Sequence, residues 1–149
     1  MYLDYEMCFT QTGASPDATS IAQAIVDDAA GLNFVDYALA GKNIGSGEPI
    51  QIGIYCTETF TTCTSIDVEV IINDAANAST ATILAEQNLV LAELVAGQQW
   101  TMSLPAVSGK YASESGDRQF LGVNFVVNGS DAGAGKFIAA VTVDPQTNA

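Results

Sequence analysis

Two runs of this chain alternate apolar and polar side chains with a period of two, and that period limits its fold more than anything else. In "PIQIGIYCTE", Ile50, Ile52, Ile54 and Cys56 fall on one face, with Gln51, Gly53 and Tyr55 on the other. In "SIDVEVIIND", Ile66, Val68, Val70 and Ile72 point one way, and Asp67 and Glu69 the other. Such alternation belongs to half-buried β-strands. The short "QQWTMSLP", ending at Pro105, and the runs "RQFLGVNFVVNG" and "GKFIAAVTVD" read the same way. All are dense in the β-branched and aromatic residues that strands favour. The last two runs are expected to be joined by a glycine-rich hairpin turn. Short strands set off by Gly, Asn, Asp and Ser clusters point to a sandwich or a barrel.

Two segments resist a purely β reading. "TSIAQAIVDDAAG" places Ser20 and Gln23 as a capping box with Gly31 as a stop, the pattern of a helix. "TATILAEQNLVLAELVAG" spaces Leu84, Asn88, Leu91 and Val95 at near-helical intervals before Gly97. Periodicity alone leaves both open. With 149 residues, no convincing internal repeat and no low-complexity linker, a single domain is expected.

Charge and composition narrow the function. Seventeen Asp and Glu face four Lys and Arg, a formal net charge of −13. With only Lys42, Lys110, Arg118 and Lys136 to neutralise phosphates, nucleic acid is not an expected partner, nor is an acidic lipid surface. No window reaches the roughly 18 apolar residues of a membrane helix. "MYLDYEMCFT" lacks the basic region and apolar run of a signal peptide, so synthesis in a cytoplasm is expected. Histidine is absent, which removes the commonest general base and metal ligand and excludes a standard Ser-His-Asp triad. Cys8, Cys56 and Cys63 are an odd number of thiols, against a secreted disulfide framework. Cys56 and Cys63 bracket "TETFTT" and could face each other across a hairpin, but cytoplasmic thiols normally stay reduced.

The tempting motifs are better explained by structure. A phosphate loop must follow a strand and open a helix. In "GKNIGSGEPI", Glu48 would repel the phosphate, Pro49 offers no amide and a strand follows, so the loop is expected only to turn the chain. "GSDAGAGKF" has five residues between Gly129 and Gly135 and a phenylalanine after Lys136, which breaks the P-loop pattern. Asp27 with Asp28, and Asp67 with Glu69, are paired acids, but solvated strand acids are common. "DAANAS" and "NGSDAG" lack calcium-loop spacing, and no metal or cofactor is expected. Asn77-Ala78-Ser79 matches a glycosylation sequon that means little without a signal peptide. Trp100 reads as core or interface packing. A binding or structural module is the expectation, not an enzyme.

At this point the chain resembles a known family, the small jelly-roll capsid cement (decoration) proteins of tailed bacteriophages. The resemblance starts at "MYLD", is strongest at "IGSGEPIQIGI", and continues through "SIDVEVIIND" and "RQFLGVNFVVNGSDAGAGKFIAAVTVD". It departs from the family in the longer stretch from Ala18 to Ala40 and in Cys56 and Cys63. The family has strands where "TATILAEQNLVLAELVAG" stands, so the resemblance implies strand there despite the helical spacing.

The resemblance implies an all-β, jelly-roll-like antiparallel sandwich over residues 18–149, preceded by an extended N-terminal arm over 1–17. It further implies a homotrimer on the outer surface of the virion head, made in the bacterial host cytoplasm. There it would bridge neighbouring copies of the major capsid protein against the pressure of packaged DNA. Tyr2, Leu3, Tyr5 and Phe9 on the arm are the candidate capsid and subunit contacts, because aromatic anchors are frequent interface hot spots. Their alternative is packing on their own domain. A carbohydrate-binding sandwich is the second functional reading, although Tyr55, Trp100 and Tyr111 are scattered through different segments. A glycosidase or lyase using Asp67 and Glu69 is the third.

Overall fold

The computed structural model describes residues 2–12, 15–16, 19–20, 25–26, 35–36, 49–73, 81–104 and 120–144, with side chains for 9–10, 49–73, 81–104 and 120–142. The described elements are β1 (Tyr2–Cys8), β2 (Gln11–Thr12), β3 (Ser15–Pro16), β4 (Thr19–Ser20), β5 (Ile25–Val26), β6 (Val35–Asp36), β7 (Ile50–Asn73), β8 (Thr82–Val90), β9 (Gln99–Leu104) and β10 (Phe120–Asp144). A 3-10 turn, Leu91–Glu93, follows β8. Every described pairing is antiparallel. The fold is an all-β antiparallel sandwich.

The frame is one long ribbon. β7 and β10 pair from Phe120↔Asn73 to Thr142↔Gln51. At about 3.3 Å per residue, such a strand would run roughly 80 Å if straight, far beyond a domain whose radius of gyration should be about 15 Å. The ribbon therefore folds over on itself. Phe125 and Phe137 prove the point: twelve residues apart on one strand, they would stand roughly 40 Å apart if it were straight. Their ring centroids lie 5.2 Å apart, stacked.

The bend falls where the register slips, between Asn128 and Phe137 on β10. Gly129 and Gly135 have positive φ there (85° and 134°), and Thr62 opposite them has φ 70°. A Cβ at Gly135 would overlap the Phe60 ring, so only glycine fits. The Thr62 hydroxyl clamps the bend by donating to the Asp131 carbonyl (2.6 Å) and accepting from the Gly133 N–H (2.8 Å). The expected glycine hairpin is thus a bulged bend within one continuous strand. The possible hairpin between Cys56 and Cys63 is not formed, because β7 runs through both.

Folding the ribbon makes two layers. In one, β9 lies along residues 50–55 of β7, and the C-terminal half of β10 takes β1 and β4 on its far edge. In the other, β8 lies along residues 65–72 of β7, and the N-terminal half of β10 takes β5 and β6. The inward faces meet in one core. Ile52, Ile54, Cys56, Met102, Leu104, Phe137 and Val141 come from the first layer, and Ile66, Val68, Val70, Leu89, Leu121 and Phe125 from the second. Each fully buried aliphatic or aromatic side chain contributes about 1.5–3 kcal/mol relative to exposure.

β8 takes strand form in a segment with helical spacing. Pairing against β7 buries Leu89 opposite Ile66, whereas an isolated helix would bury nothing comparable. Tertiary burial outweighs local propensity here. The segment Thr19–Gly31, left open by its helix-like pattern, is strand at its described points: Thr19–Ser20 and Ile25–Val26 pair with β10. The rest of that segment, Gly41–Glu48, Asp74–Ser79 and Tyr111 lie outside the described residues.

Candidate functional site

The outward face of the second layer carries a ladder of carboxylates and carboxamides. Because inward and outward residues alternate, burying Ile66, Val68 and Val70 forces Ser65, Asp67 and Glu69 outward. Their neighbours across the strands are Val90, Asn88 and Glu86 on β8, and Asn128, Val126 and Asn124 on β10. Asp67 accepts from the Nδ2 groups of both Asn88 and Asn128, the latter at 2.7 Å. Ser65 Oγ accepts from the same two amides at 3.0 and 3.2 Å. Glu69 accepts from Asn124 Nδ2 at 2.8 Å. Asn124 is only 8% exposed, and its Oδ1 has no partner. Three strands are thereby stitched together by side chains as well as backbone. Chemically this ladder holds carboxylates in place as acceptors.

Toward β8 the same face becomes apolar at its ends. Ile83 is 49% exposed and Val90 46%, with Val95 just beyond the 3-10 turn at 44%. Exposed Glu86 and Asn88 lie between Ile83 and Val90. β8 pairs only with β7 among the described residues, so its other edge has no described strand beside it.

The expected interface residues fare differently. Tyr2, Leu3 and Tyr5 lie in β1, whose backbone pairs Tyr2↔Asp144 and Leu3↔Thr142. Their side chains are outside the description. Phe9 is a correction: its side chain is wholly buried in the chain's own core, and its N–H donates to the Ala139 carbonyl at 2.8 Å. It offers no surface to a neighbour. Trp100 is half-buried and meets Phe137 edge-on, with centroids 6.2 Å apart.

Cys56 and Cys63 are free and buried. Burial pushes both thiols above their ordinary pKa; for Cys56, a backbone hydrogen bond with Glu58 opposes the rise only in part. Lys136 is tied to Glu58 at 3.0 Å across the ribbon, an exposed pair worth little to stability. Among the described residues, no cluster of three or more His, Cys, Asp or Glu could hold a metal ion.

Sequence reasoning missed Ile83, Val90 and Val95 as exposed apolar groups and Asn88, Asn124 and Asn128 as ladder donors. A period-two reading of residues 82–90 finds Val90 but not Ile83, which the bulge at Leu84 turns to the outward face, nor Val95, which lies beyond the strand. The amides show no signal until the register is known.

The Bbp16 family matches residues 19–141. The chain belongs to the Bbp16 family. The matched span takes in the folded ribbon as far as Val141 together with β8 and β9, and so the whole ladder; β1 precedes it. No curated protein matches the chain.

Proposed function

We propose that this Bbp16-family chain is a capsid cement protein of a tailed bacteriophage. It binds the outer surface of the head as a homotrimer, with jelly-roll connectivity, and bridges neighbouring major capsid proteins. Its task is to hold the shell against packaged-DNA pressure, and it transforms no substrate.

The observation that supports this reading is the β8 face. Two large apolar side chains of β8, Ile83 and Val90, stand 49% and 46% exposed on a chain of net charge −13, on the face that carries the row of fixed polar groups. Apolar groups grouped on a surface and bordered by polar ones are typical of protein contact sites. The stitched three-strand platform supplies the rigidity that a clamp needs, since a preordered surface loses less entropy on binding. Threefold assembly would multiply modest contacts into a tight grip.

Heads purified with and without the protein test it. Heads carrying it should retain DNA to a higher temperature, and adding purified protein back should restore the difference. Equal DNA release in the two preparations would overturn the proposal.

A further inference from the structure

We propose that the outer edge of β8, which has no described strand beside it, receives an extended, lysine- or arginine-bearing segment of the major capsid protein as an added strand. This inference rests on the cement reading above and names the part of the surface that does the gripping.

Four observations carry it. β8 is a nine-residue strand with no described partner on its outer edge. Natural proteins protect such edges with lysine, proline, inward charges or very short strands. "TILAEQNLV" has neither lysine nor proline, and its inward-facing residues Ala85, Gln87 and Leu89 carry no charge. Apart from the Val90 N–H, which donates to Glu93 Oε2, no described residue protects this edge, and such an edge is suited to pairing. Next, the exposed apolar groups Ile83 and Val90 stand near the two ends of β8, where alternate side chains of an added strand would rest.

The charge decides between occupants. Asp67, Glu69 and Glu86 lie on this outward face, Glu93 follows β8, and no Lys or Arg stands among the described residues of β7 or β8. The described basic residue, Lys136, is already paired with Glu58. A basic strand complements that field. A second copy does not: Glu86 is the middle residue of Thr82–Val90, so antiparallel self-pairing about the centre would set Glu86 against Glu86. Like charges directly opposite are destabilising.

The test uses purified full-length protein and heads stripped of it, scored by co-sedimentation. Glu86→Lys and Ile83→Lys should each weaken binding by about tenfold or more, with melting temperature and molar mass unchanged from wild type. Asp131→Lys, the same charge change at the exposed bend, should bind as wild type does. On the heads, hydrogen exchange should slow at alternate amides of residues 82–90 and not along β9. Wild-type-like binding by folded Glu86→Lys and Ile83→Lys proteins overturns the inference and leaves the cement reading standing, as does equal weakening by Asp131→Lys. A change of oligomeric state in Glu86→Lys assigns the edge to a second copy and overturns it too. Failure of wild type itself to sediment with heads removes the cement reading, and this inference with it.

Discussion

Phe137 sits where the two layers close on each other, within 4.5 Å of Phe60 and 5.2 Å of Phe125, centroid to centroid. Removing its ring would open a cavity against both halves of the ribbon. Phe137→Ala should cost about 3–5 kcal/mol in urea unfolding, and Phe137→Leu clearly less. The buried thiols give a second expectation. Burial keeps Cys56 and Cys63 protonated in the native state, while the unfolded chain releases those protons from about pH 8.5 upward. The thiols' contribution to stability is therefore whole below that pH and is lost as the pH climbs toward the raised native values. In a Cys8→Ser background, both thiols should resist a disulfide reagent at pH 8 until denaturant is added. Adding Cys56→Ala and Cys63→Ala should flatten the alkaline loss of stability. At this scale the parity of the chain was readable: Ile52, Ile54, Cys56, Ile66, Val68, Val70 and Ile72 are all buried, as their alternation requires. Phe9 was not readable, since one aromatic at the end of an acidic stretch carries no sign of where it packs.

At the scale of elements, the bend is the feature the ribbon depends on. Thr62 holds an unfavourable positive φ for a β-branched residue while its hydroxyl clasps Asp131 and Gly133 across the bend. Thr62→Ser keeps the hydroxyl and relieves the crowding, so stability should hold or rise slightly. Thr62→Val removes the hydroxyl and its two exposed bonds across the bend, and should cost about 0.5–1.5 kcal/mol. Equal thermal midpoints for the two variants would dismiss the clamp. Gly135→Ala should be worse than either surface change, because the new methyl collides with Phe60. The sequence marked this region with glycines, which ordinarily signal a hairpin; that they mark a bend inside one strand depends on the partner strand, which local pattern cannot show. β8 was hidden for the same kind of reason. Leu84, Asn88, Leu91 and Val95 sit at near-helical intervals, and only the facing Ile66 and Val68 select the strand.

For the molecule as a whole, fold class was legible and topology was not. Alternation in Ile50–Cys56 and Ser65–Ile72 pointed to half-buried strands of a sandwich or a barrel, and the family resemblance chose the sandwich. The doubling of a single ribbon to form both layers follows from contacts such as Phe125–Phe137, far apart along the strand. The candidate surface was legible only as a charge imbalance, since the ladder and the apolar ends of β8 need register to be seen. If three copies work together on the head, light scattering of the isolated protein should return about three times the 15.5 kDa chain mass. The claim at the centre of this account is that the chain clamps capsid subunits from outside. Low-resolution imaging of purified heads with and without it tests that most directly. The account predicts added density on the outer surface at positions bridging neighbouring major capsid proteins, lost when the protein is absent. Identical outer surfaces in the two reconstructions would contradict it.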